Sequence, residues 1–196
     1  MNQHQMQQNL QFSIYDKPVV WIDLEMTGLD ITKEKILEIG IVVTDERFNK
    51  QTLGPNLIVK CDEFTLSNMD EWNQSHHQKS GLIEQVKKSS IDIVDAEQVI
   101  LGFLHDLNVP YNSGSLAGNC IHTDRKFIQK YMPNLFNFLS HKIIDVTTFK
   151  QLCWRWNNQV FKQRPKKLGG HRAHDDILES IEEMKHYVQF FVKKSS

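Results

Sequence analysis

The chain has 196 residues, with 23 basic and 24 acidic side chains, 9 histidines and a formal net charge of −1; 40% of its residues are apolar. That is too hydrophobic for a disordered protein, long enough for one domain with a sizeable core, and too neutral for a protein that coats nucleic acid through bulk electrostatics. No apolar run reaches the ~20 residues of a membrane span.

Residues 1–17 are rich in Gln, without a basic start or a continuous apolar centre, and read as a disordered leader rather than a secretory signal. Residues 18–192 read as a single domain. Val19–Glu25 is an apolar run ending in acids, Ile36–Thr44 is rich in β-branched residues, and Leu57–Lys60 is a third strand, so the three predict an antiparallel meander. Ser67–Trp72 reads as a short helix. Ala96, Val99, Ile100, Phe103, Leu104 and Leu107 carry helical spacing. A strand at Ser115–Asn119, a helix at Asp124–Met132 stopped by Pro133, a strand at Lys142–Val146 and a helix at Thr148–Trp156 follow. Asn157–Gly170 reads as a mobile loop, and the last helix spans Ala173–Val192. Strands followed by alternating helices and strands predict an α/β fold: a mixed five-stranded sheet with helices on both faces. Cys61, Cys120 and Cys153 form neither a disulfide framework nor a zinc pattern, which points to a reducing compartment, taken as the cytoplasm.

Four acids stand out. Asp23 and Glu25 are two apart on a strand and share a face, opposite Val20, Ile22 and Leu24. Side by side they repel each other unless a cation compensates; the alternative is a frayed strand end in water. Asp124 lies on the apolar stripe of its helix with Phe127, Ile128 and Tyr131, although a lone Asp in a first turn is more commonly a cap. On the last helix, Asp176 borders the stripe Ala173, Ile177, Ser180, Met184 and Tyr187, whereas Asp175 aligns with Glu179, Glu182 and His186 on the solvated face. Carboxylate oxygens suit Mg²⁺ or Mn²⁺, and a pair of such ions can drive phosphoryl displacement. His171 stands in the loop just before that helix, and an imidazole is the side chain suited to take a proton from water at neutral pH.

The run Trp21-Ile22-Asp23-Leu24-Glu25-Met26-Thr27-Gly28-Leu29 resembles the first motif of the DEDDh 3′–5′ exonucleases, and within them the oligoribonucleases. Met69-Asp70-Glu71-Trp72-Asn73 with His77, Lys79, Ser80 and Gly81, then Gly118-Asn119 with Asp124, Ile144–Thr147, and the H-x-A-x-x-D run from His171 to Asp176 continue the resemblance in order. It spans roughly Val19 to Tyr187. The resemblance implies a ribonuclease-H-like fold, a homodimer, and removal of 5′-mononucleotides from very short RNAs, down to dinucleotides. It implies that Asp23, Glu25, Asp124 and Asp176 hold two divalent metals, Mg²⁺ or Mn²⁺, with His171 as general base. Leu29 would wedge between bases, Trp72 and His77 would meet the 3′ nucleotide and its phosphate, and Met26, Asn119 and Cys120 would line the substrate. His141, Lys142 and Thr147 would form a phosphate cap contributed across the dimer. Trp72 has a second reading as a core aromatic; His76 and His122 read as surface residues.

The sequence departs from the family at Cys120, where a small hydroxyl residue is common, and at His141 and Lys142, where Tyr and Arg are common. Lys142 supplies a point charge and no bidentate fork. His174 replaces a usual Leu. Two other readings remain open on these residues: a DNA exonuclease on the same fold, and a binding module without catalysis.

Overall fold

The computed structural model describes residues 17–166 and 172–192. The Gln-rich leader, apart from Lys17, and His171 therefore lie outside the described residues. The sheet is mixed and five-stranded, in the order β3-β2-β1-β4-β5. Strand β1 (Val19–Met26) pairs antiparallel with β2 (Ile36–Thr44), which pairs antiparallel with β3 (Gln51–Ile58). Strands β4 (Ser115–Gly118) and β5 (Ile143–Asp145) run parallel to β1.

The middle strands are apolar on both faces because both faces are covered. Val20, Ile22 and Leu24 of β1 pack on one side with α4 (Ile93–Asp106), α5 (His122–Tyr131) and α6 (Pro133–Phe138). Val19 and Trp21 pack on the other with α7 (Val146–Trp156) and α9 (Ala173–Tyr187). A third, smaller cluster of Leu37, Leu66, Met69, Leu82 and Val86 seats α1 (Glu63–Ser67) and α3 (Leu82–Lys88).

Several elements differ from the sequence reading, each for a local reason. Strand β3 starts at Gln51, well before the expected Leu57, although Gly54 and Pro55 lie within it. Proline removes a ladder donor, and β3 tolerates it as an edge strand. The expected helix over Ser67–Trp72 does not form. Asp62 and Asp70 each cap a separate helix, accepting from the amides of Thr65 and Asn73, so that Trp72 falls in the first turn of α2 (Glu71–Lys79). Pro133 ends one helix and also opens the next, in whose first turn its missing N–H is no loss. Within the stretch read as a loop, Asn157 caps a short helix, α8 (Asn158–Lys162). Helix α9 ends at Tyr187, and a π-helical turn, Val188–Val192, completes the expected span.

Gly40 of β2 decides how closely α9 approaches the sheet. A Cβ there would lie 2.9 Å from the Cβ of Ala173, so only glycine lets the first turn of α9 sit on the strand. That contact brings the start of α9 to the end of β1.

Candidate active site

At the end of β1, Asp23 and Glu25 project on one face, and α9 delivers Asp176 to them across the Gly40–Ala173 contact. Asp23, Glu25 and Asp176 each offer a carboxylate oxygen, and the three oxygens lie within 4.8 Å of one another. Asp175, one residue earlier, is exposed.

Asp124 comes from α5, on the opposite side of the sheet, and flanks this trio without joining its tight group. It is 7% exposed. The last β1–β4 pair is Trp21 with Ala117, and beyond it the Leu24 amide donates to Asp124 Oδ1 at 3.1 Å. The carboxylate therefore terminates the β1 edge. Burial pushes Asp124 up to about 7, against the pull of its backbone hydrogen bonds. Burial, then the negative charges of Asp176, Glu38 and Asp124, push Glu25 up to about 8, with Arg172 acting in the opposite direction. Carboxylates held this closely in a half-buried site are costly to ionise together without a compensating cation.

Part of that compensation is a network the sequence reading missed. Glu38, opposite Glu25 in the β1–β2 register, is fully buried. It accepts from Asn56 Nδ2 at 2.6 Å and from Arg172 Nε at 3.2 and 3.3 Å, and Arg172 also donates to Gln85 Oε1 at 3.1 Å. The signal in the sequence was an acid inside the otherwise apolar run Ile36–Val43. Arg172 stands immediately before α9, so its bond to Glu38 ties the start of that helix to β2.

The remaining predicted residues separate into three places. His77 is 1% exposed; its Nε2 lies 2.8 Å from the Met26 carbonyl and its Nδ1 3.8 Å from Glu25 Oε2. It thus faces the main chain and a carboxylate. At the rim, Leu29 is 75% and Trp72 67% exposed, so Trp72 is not the core aromatic of the alternative reading. The turn that carries Leu29 is closed by Thr27, whose hydroxyl bonds Glu34 and accepts from the Lys35 amide. Trp72 stacks on His76, which is half-buried.

At the ends of β4 and β5, Asn119, Cys120 and Thr147 satisfy one another. Asn119 Nδ2 donates to Ser180 Oγ, the Thr147 hydroxyl donates to Asn119 Oδ1, and the Cys120 amide reaches both Thr147 Oγ1 (2.9 Å) and Asp145 Oδ1 (3.1 Å). Cys120 holds φ at +51°, in the left-handed region that non-glycine residues seldom occupy, and is exposed. His141 and Lys142 stand exposed ahead of β5, and His122 Nδ1 lies 3.6 Å from Asp145 Oδ2.

The exonuclease (RNase T) family model matches residues 20–184. Human mitochondrial oligoribonuclease is 46% identical over 176 residues, 90% of this chain and 74% of that protein. The probable oligoribonuclease of Dictyostelium discoideum is 47% identical over 171 residues, 87% of this chain and 88% of that protein. The oligoribonuclease of Bordetella pertussis is 45% identical over 175 residues, covering 89% and 96%. Among solved structures, E. coli exonuclease I in complex with a dA16 oligonucleotide superposes with a TM-score of 0.66 at 11% identity, over 90% of this chain and 42% of that one. This last likeness is one of fold, and the chain spans less than half of the exonuclease I length. With the family model covering nearly all of the described domain and close relatives matched over most of their own length, the chain belongs to the exonuclease family, within its oligoribonuclease branch.

Proposed function

We propose that the chain is a 3′–5′ exoribonuclease that hydrolyses very short oligoribonucleotides, down to dinucleotides, to 5′-mononucleotides, with two divalent ions, Mg²⁺ or Mn²⁺, as cofactor. The observation that carries this reading is the convergence of the Asp23, Glu25 and Asp176 oxygens within 4.8 Å, with Asp124 beside them. The donor set fits a hard cation. All its atoms are carboxylate oxygens, and Glu25 is pushed to about 8 by burial and then by the neighbouring negative charges, which a divalent cation would offset. When bound, such ions supply a more acidic attacking water and positive charge for the departing oxygen.

The chain's own residues do the rest. Asp23, Glu25 and Asp176 hold the cofactor, and Asp124, fixed by the Leu24 amide, closes the set from the far side of the sheet. His171 accepts the proton of the attacking water. His77 orients Glu25 and the Met26 carbonyl from below. Trp72 offers an exposed indole to a base, and Leu29 wedges against its neighbour. Stacking accepts every base, which suits an enzyme that must clear all dinucleotides. Asn119 and Cys120 line the far end of the substrate, and His141, Lys142 and Thr147 cap its phosphate across a homodimer. Ile143 on β5 and Trp154 and Trp156 on α7 are exposed apolar side chains, which supports a dimer that covers some of them. Free thiols at Cys61, Cys120 and Cys153 suit a reducing compartment, and we assign the protein to the cytoplasm.

The test is product analysis of an end-labelled pentaribonucleotide, a diribonucleotide and a long single-stranded DNA, with and without Mg²⁺. The reading expects metal-dependent release of 5′-mononucleotides and turnover of the dinucleotide at least as fast as that of longer strands. Faster degradation of the long DNA would overturn it. Light scattering should give twice the mass of one chain; an active monomer would remove the cap from this assignment.

A further inference from the structure

His76 follows Trp72 by one turn of α2, and the two rings lie parallel, 4.6 Å between centroids with 10° between planes. Trp72 projects from the surface, while His76 is half-buried. One face of the indole is therefore covered by the imidazole. On the inner side, His77 meets His76 edge-on at 5.9 Å and reaches the Met26 carbonyl at 2.8 Å. A ladder of three rings thus runs from the exposed indole to the strand that carries Glu25.

An exposed indole left to itself samples several rotamers, and each side chain immobilised on binding weakens affinity by roughly 2- to 10-fold. A ring already packed against a fixed neighbour has lost that freedom before the ligand arrives. We propose that His76 is a positioning residue for base recognition: it holds the Trp72 indole in one plane and leaves the opposite face for a single nucleobase. The ladder through His77 sets the distance of that plane from the carboxylates. This rests on the reading of Trp72 as the base platform. His76 touches neither the base nor the reacting phosphate and acts only through the indole.

The experiment measures kcat and KM on a diribonucleotide for Trp72→Ala, His76→Ala, His76→Phe, His76→Leu and the Trp72→Ala/His76→Ala pair. Loss of the platform in Trp72→Ala should raise KM roughly 5- to 150-fold. His76→Ala should raise KM roughly 2- to 10-fold with kcat nearly unchanged. Phe at that position should restore KM because it is planar, Leu should not, and His76→Ala should add nothing once Trp72 is gone. Equal rescue by Leu and Phe, or an additive double variant, would reduce His76 to ordinary helix packing and overturn the proposal. An unchanged KM in His76→Ala alongside a raised KM in Trp72→Ala would also overturn it, leaving the platform in place. An unchanged KM in Trp72→Ala would instead remove the platform reading itself.

Discussion

Adjacent acids on one helix have opposite fates. Asp175 is exposed, whereas Asp176 lies one helical step round, within the carboxylate group at the end of β1. Asp176→Asn should therefore lower the turnover of short RNA by more than the 10- to 100-fold typical of a residue that only supports a metal ligand, and Asp175→Asn should leave it within about twofold. Steady-state rates with Mg²⁺ on both variants check this, and equal losses would contradict the assignment. The Glu38–Arg172 pair makes a different kind of claim. Glu38 is fully buried, and removing its partner strands a charge beside Glu25. Arg172→Gln should cost about 3–5 kcal/mol in a denaturant titration, and adding Glu38→Gln should recover much of it, because the neutral pair leaves no buried ion.

At the scale of elements, α9 is placed by a missing side chain. Gly40→Ala would put a Cβ 2.9 Å from Ala173, where the obstacle is helix and not a flexible side-chain tip. The expected cost is about 1–3 kcal/mol of stability. Activity should fall further than stability alone explains, since Asp176 moves away with the helix. Wild-type turnover in a folded Gly40→Ala variant would show that α9 need not approach so closely. The elements around the site were unevenly legible in the sequence. Strand β2 could be read over Ile36–Thr44 because a run of β-branched residues between polar turns has one good solution. The region before the site could not: Asp62 and Asp70 each start a helix, and two short capped helices look like one irregular stretch. Strand β3, carrying Gly54 and Pro55, has little propensity of its own and exists because β2 offers it a ladder.

For the whole molecule, the raised carboxylates link stability, pH and metal. Glu25 is held at about 8 against an ordinary 4.5, and Asp124 at about 7 against 3.8, so the folded state binds these protons more tightly than the unfolded chain. Their contribution to stability is fully present below about pH 4, and is lost as pH rises through 7 to 8. The metal-free protein should melt at progressively lower temperature from pH 5 to pH 8, and Glu25→Gln should flatten that slope. Mg²⁺ should raise the melting temperature more at pH 8 than at pH 6, because binding must displace protons at the lower pH. Thermal melts in chelator and in Mg²⁺ read both effects; a metal-free midpoint that climbs over this range would contradict the carboxylate environment.

The net charge of −1 excludes a protein that coats long strands, and it accommodates one whose substrate has very few phosphates and whose acids are set aside for cations. The sequence by itself determined the fold class, the two-residue spacing that puts Asp23 and Glu25 on one face, and the helical phase that turns Asp176 inward. Those features follow from local periodicity, which needs only neighbouring residues. The meeting of β1 and α9 was decided by the tertiary structure, since it depends on Gly40 and Ala173, far apart in the chain. The same holds for Glu38 and Arg172, a charge pair whose partners come together only when the helix lies on the strand. His77 shows the difference most directly: the resemblance implies a substrate contact, and only packing sets its ring against Met26 and Glu25, because a ring on the inner face of α2 reaches the strand before it reaches solvent.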